Sequence, residues 1–150
     1  MLADGARQGA DGKLYIFGGQ WDRIFSVTTP VTQPMMAIAM VVEVAYQEAM
    51  QDHRVEIELL NADGGEMGYR AGATFRVGHP AGIAEGSPIS VPLIIERPMI
   101  VFPTHGRYEW VVELDTQIAE RLPLTVAPPP GLQLAAVAGQ QPPPPQTQEG

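Results

Sequence analysis

Cysteine is absent from the 150-residue chain, so disulfide bonds, thiol catalysis and thiolate metal ligands are excluded. Positive charge is scarce as well, because nine Lys and Arg residues face seventeen Asp and Glu residues, for a formal net charge of −8. A protein that binds nucleic acid or anionic lipid must neutralise phosphates with cationic side chains. The composition therefore predicts no nucleic-acid partner.

Long hydrophobic runs are also missing. The first twelve residues contain no apolar segment of the kind that a signal peptide carries. No later stretch approaches the roughly 20 consecutive apolar residues of a membrane span. We therefore expect no membrane span and a cytoplasmic location.

Turn-forming residues, in contrast, are abundant. Sixteen Gly and fifteen Pro accompany a hydrophobic content of 45%, which favours short strands joined by turns. The length of the chain suits one hydrophobic core. Prolines at 128–130 and 142–145 bracket a segment of small residues. We predict one β-sandwich domain over residues 1–126 and a flexible proline-rich tail over residues 127–150.

Alternation of apolar and polar residues marks several strands. The clearest case is residues 54–59, where Val55, Ile57 and Leu59 alternate with charged residues. Residues 107–114 follow the same pattern, and their aromatic side chains should anchor the core. Further strands are predicted at residues 2–7, 13–17, 24–28, 73–77, 89–95 and 120–126, with Pro92 and Pro98 indicating an edge or interrupted pairing.

The longest apolar run, residues 36–46, has hydrophobic side chains on both faces of a predicted strand. A buried helix would give a similarly continuous run, but we favour the strand. Such a strand is either central in a sandwich or covered by another subunit. With no convincing amphipathic helix elsewhere, the pattern predicts an all-β fold: an antiparallel two-sheet sandwich, immunoglobulin-like or related.

Two groups of residues carry a resemblance to other proteins. They are Leu2-Ala3-Asp4-Gly5-Ala6 with Gly12-Lys13-Leu14 and Trp21-Asp22-Arg23-Ile24, and later Gly106-Arg107-Tyr108-Glu109-Trp110. Together they resemble an uncharacterised family of small bacterial β-sandwich proteins of unknown function. The resemblance covers about residues 1–126 and implies a bacterial sandwich without an assigned activity. It supplies no catalytic residue.

The chain carries no catalytic motif. A Gly-x-Ser-x-Gly element, a phosphate-binding loop and a dinucleotide fingerprint are all missing from the sequence. Acidic residues occupy mostly outward positions of predicted strands, where they act as solubilising charges. The three histidines lack the short spacings of zinc sites, and residues 61–66 fit a β-turn better than a calcium loop. We therefore predict no enzyme, no metal site and no cofactor.

Three residues are candidates for ligand contact. Trp21 follows two glycines in a predicted turn, so alternation does not fix its burial, and an exposed indole can stack on a sugar ring. His79 and His105 each lie beside Gly or Pro in predicted loops. These two histidines either converge at one end of the sandwich, where they would titrate near neutral pH, or are separate solvated loop residues.

The proline-rich tail carries three apolar residues of interest, Leu132, Leu134 and Val137. They would dock on a neighbouring subunit or add a strand to an open sheet edge, while a plain spacer is the alternative. The sequence thus predicts a non-catalytic interaction or structural module that assembles with itself or within a larger complex, through residues 36–46, edge strands and the tail. The alternative is a small-ligand or carbohydrate-binding module that uses Trp21 with the loop of His79 or His105.

Overall fold

The computed structural model describes residues 1–131 of the chain. Strands account for most of these residues, and a single turn of 3₁₀ helix lies at Tyr46–Glu48. The strands are β1 (Leu2–Gln8), β2 (Leu14–Gly19), β3 (Arg23–Phe25), β4 (Val31–Val44), β5 (Asp52–Asn61), β6 (Glu66–Arg76), β7 (Ile89–Phe102), β8 (Gly106–Leu114) and β9 (Gln117–Ala127).

The strands form two sheets that pack face to face. The four-stranded sheet has the order β2-β1-β4-β7, and the five-stranded sheet has the order β3-β9-β8-β5-β6. Neighbouring strands are antiparallel except for β3 and β9, which run parallel. The predicted all-β, two-sheet sandwich is confirmed. Residues 132–150, which make up most of the predicted tail, lie outside the described part of the chain.

The hydrophobic core lies between the sheets and is built from alternating residues. Val55, Ile57 and Leu59 of β5 are each at most 1% exposed, as their period of two predicts. Trp110 of β8 is fully buried, and its indole Nε1 lies 3.2 Å from the sulfur of Met36 on β4. An aromatic side chain of this size buries about 150–250 Å². Trp110 therefore joins one sheet to the other.

Strand β4 is covered on both faces by the chain itself. It lies between β1 and β7, its inner residues Met36 and Ile38 belong to the core between the sheets, and its outer residues Ala37 and Ala39 form a second cluster. The side chains that cover this second cluster are Ala3, Ala6, Leu14 and Ile16 of the β1–β2 hairpin and Ile94 of β7. The predicted strand at residues 36–46 is confirmed. Of its two predicted environments the central one is found, so its buried alanines offer no surface to another subunit.

Strand β7 is an edge of the four-stranded sheet. Pro92 and Pro98 lie within it, and because proline lacks a backbone N–H it is tolerated at such an edge. The hydroxyl of Tyr69 on β6 accepts a 2.8 Å hydrogen bond from the backbone N–H of Val101. The edge position that the two prolines predicted is confirmed, and β6 covers part of that edge through Tyr69.

Candidate functional site

A groove of about 450 Å³ opens between the two sheets. Its floor consists of core side chains such as Ile38, Val55 and Val112, which are otherwise buried. The inter-sheet groove is lined by Met1 and residues 38–43 from the four-stranded sheet, and by Val55, Val112, Leu114, Ala119, Glu120 and Leu122 from the five-stranded sheet. Its size falls within the roughly 300–1,000 Å³ of binding pockets.

One wall of the groove is an unpaired strand edge. The backbone N–H and C=O of Ala39 both bond to Met1, at 3.0 and 2.8 Å, and there the ladder between β1 and β4 stops. Backbone groups two residues apart in a strand point the same way. Val41 and Glu43 therefore direct their backbone groups away from β7, toward a side where the described residues supply no partner. The side chain of Val41 is 56% exposed.

The opposite wall is also an open edge. Strand β9 pairs with β8 along its length but with β3 only through residues 125–127, so on the side away from β8 its earlier residues have no strand beside them in the described structure. These earlier residues contribute Ala119, Glu120 and Leu122 to the groove. The groove therefore lies between two strand edges, and hydrophobic side chains form its floor.

Two carboxylates stand among the groove residues. Glu43 and Glu120 are both exposed, and within residues 1–131 neither forms a salt bridge. Arg121, next to Glu120 in the chain, pairs instead with Glu109. The groove also contains the α-ammonium of Met1, whose pKa is lowered by burial while the charge of Glu120 opposes that shift. The groove therefore combines an apolar floor with Glu43, which forms no salt bridge among the described residues, and with Glu120 near the N-terminal ammonium.

Trp21 is half-buried rather than freely exposed. Its side chain packs against the core between the sheets, and its Nε1 is buried without a hydrogen-bond partner. A small cavity of about 170 Å³ beside it is also lined by Asp4, Arg23, Ile24 and Gln33. The indole is therefore partly engaged by the fold, and this cavity gives a ligand access to it.

His79 and His105 do not come together. His79 precedes β7 and His105 follows it, and this strand of 14 residues spans about 45 Å at 3.3 Å per residue. His79 lies against the ring of Tyr46, with centroids 4.3 Å apart, and its Nε2 is 3.2 Å from the Tyr46 carbonyl oxygen. The Nε2 of His105 lies 3.0 Å from the carbonyl oxygen of Ser26. Of the two alternatives for these histidines, the structure shows separate exposed loop residues rather than convergence at one end, because β7 separates the two loops.

The three tail candidates, Leu132, Leu134 and Val137, lie outside the described residues. Their proposed docking remains a prediction. Strand β9 ends at Ala127, so the last strand of the sandwich and these residues are separated by the prolines at 128–130.

A third histidine, His53, is buried and pairs with the exposed Asp115, an interaction that we did not predict. His53 is 7% exposed; its Nδ1 lies 2.8 Å from the Oδ2 of Asp115, and its Nε2 lies 3.1 Å from the Glu48 carbonyl oxygen. The other carboxylate oxygen of Asp115 accepts a 2.7 Å hydrogen bond from the backbone N–H of Arg54. A signal was available in the sequence, because His53 lies two residues before the inward-facing Val55 and shares its face.

This pairing changes the titration of both groups. The hydrogen bond to Asp115, helped by the Glu48 carbonyl, raises the pKa of His53 above 6.5 although burial opposes the shift. The bond to His53 and the N–H of Arg54 hold the pKa of Asp115 below 3.8. When His53 is protonated, both of its ring nitrogens donate and neither is left to act as a base. The pair is therefore a structural link between the start of β5 and the β8–β9 turn.

A candidate metal cluster and a membrane-spanning helix are both missing from the described part of the chain. No group of three or more His, Asp or Glu side chains among residues 1–131 is placed to hold a metal ion. Within the same residues, no helix is long and apolar enough to cross a membrane.

These features define a small two-sheet β-sandwich with an apolar groove between unpaired strand edges. The chain belongs to the Family of unknown function (DUF6941), whose family model matches residues 1–127. No curated protein matches the chain, and no solved structure matches it. The family resemblance inferred from the residues at both ends of the domain is confirmed.

Proposed function

We propose that this chain is a non-catalytic protein-interaction module that assembles with itself or within a larger protein complex. The observation that carries the proposal is the inter-sheet groove, where an unpaired edge of β4 lies beside an apolar floor. Unpaired strand edges are templates for pairing with another chain, and proteins that do not use them usually block them. Strand β7, on the other side of β4, carries two prolines, whereas residues 40–44 carry none.

The alternative, a module that binds a small ligand such as a sugar, has weaker support. The unpartnered Nε1 of Trp21 offers one buried donor to such a ligand. However, the adjoining cavity of about 170 Å³ is smaller than the roughly 300 Å³ at which ordinary ligand pockets begin. The hypothesis combines Trp21 with the loop of His79 or of His105, and neither histidine lines this cavity.

Site-specific photo-crosslinking tests the proposal. A benzophenone amino acid is placed at Val41 beside the groove, and in a matched variant at Thr74, an exposed residue of β6. Both variants are expressed in the native host and irradiated, and the adducts are identified by mass spectrometry. We expect a discrete protein adduct at Val41 and none at Thr74. If neither position yields a protein adduct and the purified chain sediments as a monomer, the proposal is wrong.

A further inference from the structure

The inter-sheet groove also indicates what kind of partner it accepts, an inference that rests on the proposed function. An incoming segment must bond to the backbone of Val41 and Glu43, whose N–H and C=O groups lie at the free edge. Strand addition satisfies such groups with main-chain hydrogen bonds, and it requires an extended segment. A helical or compact partner would leave these groups unpaired.

The position of the apolar floor fixes the side-chain pattern of this segment. In an added strand, successive side chains point alternately to the two faces of the sheet. One set would point toward the floor, where Val55, Leu114 and Leu122 lie, and the other set would face solvent. The matching segment therefore has apolar residues at every second position.

The charges of the groove residues fix the remaining positions. Glu43 and Glu120 are exposed and have no salt-bridge partner among the described residues, and the whole chain carries a net charge of −8. Complementary charge attracts the correct partner and rejects partners of like charge. Glu43 lies on the same outer face of β4 as Val41, so the solvent-facing set of the incoming segment would meet its carboxylate with cationic residues. Glu120 is paired with Val112 and lies on the core side of β9, near the Met1 ammonium.

From these three features we infer that the inter-sheet groove binds an extended peptide segment of a partner protein in which apolar residues alternate with Lys or Arg. The tail of the same chain fits less well, because residues 128–150 contain no Lys or Arg. A second copy fits less well too, because two chains of net charge −8 repel each other.

Peptide binding to the full-length protein tests the inference. The probe is a fluorescein-labelled peptide of about ten residues in which valine alternates with lysine, long enough for one strand of ordinary length. In the comparison peptide glutamate replaces every lysine. Fluorescence anisotropy should show binding of the lysine peptide, at least tenfold weaker binding of the glutamate peptide, and a loss of affinity as salt is raised.

Two pairs of variants locate the binding. Val41→Pro removes a backbone N–H that has no partner among the described residues. Ser90→Pro removes a backbone N–H from β7, opposite Glu43, at the other edge of the same sheet. We expect about tenfold weaker binding for the first, equivalent to one hydrogen bond, and no change for the second. Glu43→Lys should weaken binding of the lysine peptide at least tenfold, while Glu96→Lys, an exposed residue of β7 on the same outer face, changes the net charge equally and should retain binding.

Circular dichroism and thermal unfolding first establish that each variant is folded. The inference is overturned if both peptides bind equally, or if Val41→Pro leaves the affinity of the lysine peptide unchanged. It is also overturned if residues 128–150 must be removed before the peptide binds, because the tail would then occupy the groove. If Val41→Pro converts a dimer to a monomer, a second copy of the chain occupies the groove and the inference is again overturned. In each of these cases a protein adduct in the crosslinking experiment would still support the proposed function.

Discussion

His53 and Asp115 make the stability of the sandwich depend on pH through a single pair of residues. The pKa of His53 is raised in the folded state, so its stabilising contribution is complete below pH 6.5 and is lost as pH rises through the folded-state pKa. The pKa of Asp115 is lowered, so its contribution is present above pH 3.8 and is lost as pH falls. Glu48 and Asp52, the other carboxylates beside this pair, also favour the charged imidazole.

Replacement of His53 tests this dependence. We expect His53→Gln to lower the free energy of unfolding by about 1–3 kcal/mol near pH 6, because a hydrogen-bonded charged group is lost from a buried site. The deficit should shrink toward about pH 9, since the wild-type imidazole then loses its proton. Urea unfolding across this range measures it. His105→Gln, at an exposed loop position, is the control, and equal pH profiles for the wild type and His53→Gln would contradict the prediction.

At the scale of elements, the β1–β2 hairpin acts as a lid over the outer face of β4. Ala37 and Ala39 are buried beneath it, and their small side chains allow Leu14 and Ile16 to approach. Sequence alone identified the strand and its two apolar faces. It did not identify the cover, because alternation within one strand does not specify which distant residues pack on it.

Substitution of Ala39 tests whether the cover comes from the chain itself. Ala39→Asp places a carboxylate beneath the hairpin and should destabilise the fold by about 2–4 kcal/mol. Val41→Asp, two residues along the same strand but 56% exposed, should change stability by less than about 0.5 kcal/mol. Both values, from denaturant unfolding, should be independent of protein concentration over about a fiftyfold range. A concentration-dependent midpoint would mean that another subunit supplies the cover.

Other elements show why some features were predictable and others were not. The period-two patterns of β5 and β8 identified Val55, Ile57 and Trp110 as core residues, because in a half-buried strand alternation reflects burial directly. Strand β6 begins at Glu66, earlier than the predicted residues 73–77. Met67, Tyr69 and Ala71 continue the alternation, but Gly68 and Gly72, which have low strand propensity, lie among them and obscured the signal. The parallel pairing of β3 with β9 joins residues about 100 positions apart, and no local signal specifies such a contact.

At the scale of the molecule, the groove exists only after both sheets have formed. Its residues come from β4, β5, β8 and β9, and each of these strands has an ordinary pattern when read alone. The sequence signalled apolar surface and open edges, but not their meeting point. Position in the sandwich, rather than any motif, distinguishes Val41 and Glu43 from other strand residues.

We expect the fold to be complete at Ala127, because within residues 1–131 the buried core residues all lie at or before Val126. Removal of residues 128–150 should therefore change the free energy of unfolding by less than about 0.5 kcal/mol. A cut after Leu124 removes Val126, which is 1% exposed, and all three residues that pair with β3. We expect that shorter chain to lose at least about 3 kcal/mol or to fail to fold. Denaturant unfolding of both truncations decides the question. A large loss of stability from the first cut would mean that residues beyond Ala127 belong to the sandwich. No loss of stability from the second cut would mean that the β3–β9 pairing does not stabilise it.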